Sequence, residues 1–210
     1  HDLKATPPAV NIPTTSGNNI VERKTEQSHL VVGFRTVALG HPDYHKLEML
    51  GLILGGSMSS RMFEEIREKR GLAYAVRTST NNYIEAGTLV TQAGVPHEKV
   101  EETISAIIGE YKKIKEEKVE PSELQKAKEI INGKILIKFE DSEELVHHYA
   151  TDELLLGKIK TPGELVKIYQ KITEDDILEA ANKYFTNDRL GIAFIGPKFD
   201  KGKLVELLKI

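Results

Sequence analysis

Apolar positions change their period several times along the chain, and each change marks an element. From Leu30 the pattern alternates, with Leu30, Val32 and Phe34 on one side and Val31, Arg35 and Val37 on the other, the period of a half-buried strand. Ile20 to Arg23 predicts a short strand just before it. Pro42 suits a helical first turn, and Leu47, Leu50, Leu52 and Leu54 follow at helical spacings until Gly55 and Gly56 end the run. A second helix is expected from Ser59 or Ser60 through Met62, Phe63 and Ile66 to Arg70, stopped by Gly71. Leu72 to Thr80 and Ile84 to Ala93 read as two strands joined through Asn81, Asn82 and Tyr83, an antiparallel hairpin.

Beyond the hairpin the period becomes helical. Val100, Ile104, Ile107, Ile108, Tyr111 and Ile114 form one stripe, and Pro121 opens the next helix near Leu124. Asp141 with Glu144, Thr161 with Pro162 and Glu164, and Thr173 with Asp176 each place a cap three residues before an acid that can reach back. Leu190, Ile192 and Phe194 predict a last strand, followed by Gly196, Pro197 and a short terminal helix. Strands in antiparallel runs and helices in a block define the α+β class, an antiparallel sheet covered on one side by helices. Pro7, Pro8 and Pro13 deny the Thr-, Ser- and Asn-rich opening a regular ladder. Residues 1–19 therefore read as a linker or N-terminal extension, and residues 20–210 as one α+β domain.

Composition narrows the chemistry. With 210 residues and 40% hydrophobic content the chain folds around a core without needing a disulfide or metal staple. Lys and Arg number 29 against 32 Asp and Glu, a net charge of -3, which disfavours a nucleic-acid partner. The absence of cysteine removes thiolate metal sites and cysteine nucleophiles. The longest apolar run, Leu47 to Leu54, contains Glu48 and Gly51 and falls short of the roughly 18 residues of a membrane span, so no membrane partner is expected. The compartment is left open, with the cytoplasm favoured.

Among candidate ligands, His41 and His45 sit four apart, a spacing at which two imidazoles can share a metal, but no third ligand follows and His41 lies before Pro42; capping and surface roles are expected. His147 and His148 are adjacent, so on a helix they point about 100° apart and do not chelate together. His45 and Glu48 begin an H-x-x-E-H motif, yet Met49 stands where the second imidazole belongs. Neither a G-x-S-x-G elbow around Ser57 nor a phosphate-binding glycine loop is present. The charge runs Glu64 to Arg70 and Lys112 to Lys118 mix signs as solvated helix faces do. Within the first run, Arg67 lies in the last helical turn, Gly71 lets the chain reverse, and Tyr74 follows. A guanidinium fork and a phenol hydroxyl then converge as donors without negative charge, suited to a carbonyl oxygen or an oxyanion.

The continuous run from Leu54 to Val76, LGGSMSSRMFEEIREKRGLAYAV, closely resembles the second-half signature of the insulinase-type zinc peptidases, the family of pitrilysin and the mitochondrial processing peptidase. The resemblance extends in element order from about Ile20 to Pro197. It implies one half of a duplicated metallopeptidase fold, the C-terminal, non-zinc half. It further implies that Arg67 holds a substrate carbonyl and that Tyr74 donates to the oxyanion of peptide hydrolysis. Zinc is then held by a partner N-terminal half, fused or separate, with no metal ligand and no catalytic residue in this chain alone. The linker-like opening favours a half cut from a two-half chain. Lacking an intact H-x-x-E-H, the chain is expected to be inactive alone. The competing expectation is a noncatalytic structural or binding subunit of the same fold.

Overall fold

The computed structural model describes residues 17–210, so most of the expected linker lies outside the described residues. Five strands form one sheet in the order β1-β5-β2-β4-β3: β1 (Asn19–Glu22), β2 (Ser28–Thr36), β3 (Ala75–Asn82), β4 (Gly87–Val95) and β5 (Leu190–Gly196). The predicted antiparallel hairpin of β3 with β4 is present, and β2 pairs antiparallel with both β4 and β5. β1 adds a parallel edge along β5, with Ile20 opposite Phe194. It starts one residue before the expected strand.

The alternation read in β2 is the alternation of the sheet's two faces. Leu30, Val32 and Phe34 are buried beneath helices, and so are their ladder neighbours Ala93, Leu89, Phe194, Ile192 and Leu190. Opposite parity leaves His29, Gln92, Ala193 and Arg77 exposed on the uncovered face. The helical cover comprises α1 (Tyr44–Gly55), α2 (Val100–Glu116), α3 (Pro121–Lys138), α4 (Ser142–Leu156), α5 (Pro162–Gln170), α6 (Glu174–Tyr184) and α7 (Lys201–Leu207). Every residue of the stripe read in α2 is buried. Phe34 stacks on Phe185 at 4.1 Å between centroids, and Tyr111 meets both rings edge-on, so strand, helix and the end of α6 share one aromatic knot. The Tyr111 hydroxyl reaches the Val32 carbonyl at 3.0 Å and Thr91 Oγ1 at 2.6 Å, satisfying polar groups that would otherwise be buried unpaired.

Several boundaries differ from the periodic reading. Helix α1 begins at Tyr44, beyond Pro42, and the strand expected from Leu72 begins at Ala75. The hairpin turns through Tyr83 to Ala86, closed by the Tyr83 amide donating to the Ala86 carbonyl at 2.7 Å; Asn81 and Asn82 stay in the ladder opposite Thr88 and Gly87. Thr161–Glu164 and Thr173–Asp176 form complete capping boxes. Asp141 caps the Glu143 amide at 2.8 Å, but Glu144 turns instead to Lys138, with which it pairs at 3.4 Å.

Candidate functional site

The segment after α1 is helical as expected, but its central part, Phe63–Lys69, is a π-helix. Such widened turns recur at functional sites because they displace side chains from ordinary helical rows. Both ends are fixed by ion pairs. Arg61 donates Nε and Nη2 to the Glu123 carboxylate at 2.8 and 2.7 Å, which raises its own pKa and ties the start of the segment to α3. Arg70 holds Glu65 at 2.8 and 2.6 Å and depresses that carboxyl's pKa.

Termination follows from Gly71. Its φ of 58° is in the left-handed region, where a side chain is disfavoured. Its amide donates to the Arg67 carbonyl at 3.2 Å, and the Leu72 amide donates to the Ile66 carbonyl at 2.8 Å. The two bonds span four and six residues, one more each than the bonds of a Schellman motif, the widening expected of a turn that ends a π-helix; Ile66 and Leu72 on either side of it are fully buried. Arg67 is thereby locked in the last turn, and the reversed chain brings Tyr74 back beside it. The Arg67 guanidinium lies 5.4 Å from the Tyr74 ring centroid and 4.8 Å from that of Phe63. The predicted convergence of Arg67 and Tyr74 is therefore realised in the geometry.

Phe63 escaped the sequence reading. Its signal was the i,i+4 spacing to Arg67, which seats a cation on an aromatic face. The Tyr74 side chain is 84% exposed and its hydroxyl bonds to none of the described residues. Arg67 retains 39% exposure, with Glu68 as its nearest acid at 3.9 Å. Both donors are thus open to an incoming acceptor. Tyr74 through Arg77 also border a groove of about 420 Å³ on the uncovered sheet face, together with His29, Val31, Gln92 and Gly94.

The broken zinc motif has a different fate. His45 Nδ1 lies 3.3 Å from Glu48 Oε2 and 3.0 Å from the Tyr169 hydroxyl, while Tyr44 donates to Glu48 Oε1 at 3.1 Å and Tyr169 donates to Oε2. Burial and then the Glu48 charge push both phenols' pKa values up, so they remain donors at any ordinary pH. His41 Nδ1 accepts the Asp43 amide at 3.0 Å, as a loop-capping residue would. His148 Nε2 lies 2.8 Å from the Lys160 carbonyl, and His147 is exposed. No group of three or more His, Asp or Glu side chains among the described residues is arranged to hold a metal. The donor set does not fit zinc, and no step of the chemistry is assigned to a metal on this chain.

A mixed sheet under helices thus carries an exposed Arg67–Tyr74 pair after the Gly71 turn, while the broken H-x-x-E-H motif lies apart from it in α1. The chain belongs to the peptidase M16 family: residues 2–131 match the domain described as the peptidase M16 inactive domain. An uncharacterized zinc protease of Rickettsia felis is 35% identical over 89% of this chain and 45% of its own length. One from Bacillus subtilis is 31% identical over 84% of this chain and 43% of its own. The chain thus spans less than half the length of these relatives. A protease from Helicobacter pylori has the same fold, with a TM-score of 0.85 at 22% identity over 94% of this chain and 49% of that one. Among the described residues no helix is long and apolar enough to cross a membrane.

Proposed function

We propose that this chain is the substrate-binding half of a zinc metallopeptidase that hydrolyses peptides, working with a zinc-bearing half that is fused to it or held as a separate subunit. The observation that carries this reading is the Arg67–Tyr74 pair: an exposed phenol held beside a stacked guanidinium, with its hydroxyl free. Both groups donate and neither carries negative charge, so they favour an oxygen on which negative charge develops. Arg67 holds a carbonyl of the extended peptide, and Tyr74 donates to the scissile oxygen as it becomes an oxyanion. The groove bordering Tyr74 gives the peptide room on the uncovered sheet face. The relatives' names as zinc proteases, and their length of about twice this chain, support a second half.

Two measurements test the reading. Mass and zinc content of the native gene product establish whether the zinc half is fused. In the zinc-loaded whole protein, Tyr74→Phe is expected to lower kcat on a peptide by about 10²-fold. Its thermal stability should stay within about 0.5 kcal/mol, because the side chain is exposed. Undiminished turnover in that variant rejects the oxyanion role, and a whole protein that hydrolyses no peptide points to a structural subunit instead.

A further inference from the structure

Strand parity divides β3 between two surfaces. Val76 and Thr78 turn beneath the helices and are buried, whereas Arg77 between them stands exposed on the uncovered face. Its ladder partner there is Gln92 of β4, and Val31 of β2 lies beyond Gln92 in the same row. The row one step toward Tyr74 holds Ala75, Gly94 and His29. Opposed side chains of a ladder start roughly 5 Å apart, so Arg77 and Gln92 reach the same space above the sheet. That space is the groove of about 420 Å³, with Tyr74 at its border, Ala75 as low floor between Tyr74 and Arg77, and the Gln27 side chain as a wall over Gly94.

The charge of this groove has one sign. Arg77 is the only permanently charged residue in its lining, which contains no Asp or Glu. The side chains of Arg77, Gln92 and His29 have no hydrogen-bond or ion-pair partner among the described residues. The larger cavity of about 680 Å³ that Arg77 also borders is different, because Glu48 and Asp152 keep their charge beside neutral donors and no single sign prevails. A planar guanidinium with an amide N–H next to it matches the two oxygens of a carboxylate. Spacing then says where that carboxylate sits. Tyr74 and Arg77 are three residues apart, about 10 Å along an extended chain. A peptide that offers its scissile carbonyl to Tyr74 and runs along the groove brings a residue two to four positions away to Arg77.

We propose that Arg77, aided by Gln92, is a specificity determinant that takes the side-chain carboxylate of an Asp or Glu lying two to four residues from the scissile bond. This rests on the reading of Arg67 and Tyr74 as the substrate clamp. Arg77 and Gln92 stand away from the reacting atoms, so they select the peptide and take no part in breaking the bond.

Quenched fluorescent peptides hydrolysed by the zinc-loaded whole protein test this. They share one cleaved sequence, carry amidated C-termini and place Glu, Gln or Lys in turn at each of those positions on either side of the bond. At one position kcat/KM is expected to favour Glu over Gln about tenfold. Arg77→Gln should bring that ratio to about one. Arg77→Glu should favour Lys over Glu at the same position, an inversion that a merely structural residue would not give. Equal rates for Glu and Gln at every position, or a preference that survives Arg77→Gln, overturn the proposal. So does an Arg77-dependent preference confined to peptides that end there with a free C-terminus, which would assign the groove to a chain terminus. Turnover that Tyr74→Phe lowers but that is indifferent to the acid rejects the groove alone, whereas hydrolysis of no peptide rejects clamp and groove together.

Discussion

At the scale of single residues, the site depends on two side chains whose value lies in what they leave unpaired. Tyr74 has a free hydroxyl, and the Arg67 side chain stays part-exposed with its guanidinium over the Phe63 and Tyr74 rings. Stacking needs a planar cation, so Arg67→Lys keeps the charge but loses both the ring contacts and the fork. The expected result in the zinc-loaded whole protein is a KM raised about tenfold with a smaller change in kcat, the pattern of lost ground-state binding. An unchanged KM would show that the guanidinium serves only the turn. The pair was legible in the sequence because residue type, helical position and a following glycine all pointed the same way. Phe63 was not, since a lone aromatic at helical spacing reads first as core.

At the scale of elements, two glycines matter for opposite reasons. Gly71 is surrounded by open space but holds a φ of 58°, so Gly71→Ala costs backbone strain alone, about 1 kcal/mol in chemical denaturation. Gly55 has an ordinary backbone, but a Cβ there would stand 2.5 Å from the Thr78 amide nitrogen where α1 crosses β3. Gly55→Ala therefore overpacks against backbone and is expected to cost about 1–3 kcal/mol. Equal losses from the two variants would contradict this division. Glycines at positions 55, 56 and 71 read as helix stops, and α1 ends at Gly55 with Gly56 as its cap while Gly71 ends the next segment; the close approach at Gly55 is a contact between elements that no local pattern joins. The π-helix is likewise invisible to periodicity, because its seven residues keep an ordinary helical composition.

On the scale of the whole molecule, the N-terminal end of α1 is fastened to the end of α6. Asp43 accepts from Lys183 Nζ at 2.7 Å and from the Tyr184 hydroxyl at 2.6 Å, across most of the chain's length. Burial pushes the Asp43 carboxyl up, but these two bonds and the Lys183 charge outweigh it and hold the pKa below its ordinary value. A pKa lower in the folded than in the unfolded state contributes stability above the unfolded value, lost as pH falls through the folded one. Asp176 has the same sign: burial raises it and the Lys46 and Thr173 hydrogen bonds overcome that. Asp43→Asn is expected to lower stability by about 1–2 kcal/mol at neutral pH. Its deficit should shrink as pH drops below about 4, where the wild-type carboxyl also protonates. Thermal melts from pH 7 to 2 check this, and a deficit independent of pH would assign the loss to packing.

The sequence by itself determined the order of helices and strands, the buried stripe of α2, two complete capping boxes, the family signature from Leu54 to Val76 and the broken zinc motif at Met49. Those features are local: alternation, capping and glycine stops are written within a few residues, where the chain's own stereochemistry decides them. Tertiary structure alone decided that Glu48 is held by Tyr169, that Arg67 lies over two rings, that β1 lies parallel to β5, and that β3 borders a cavity together with α3. Each of these joins residues on separate elements, and no local period records which surfaces will meet once the core has closed.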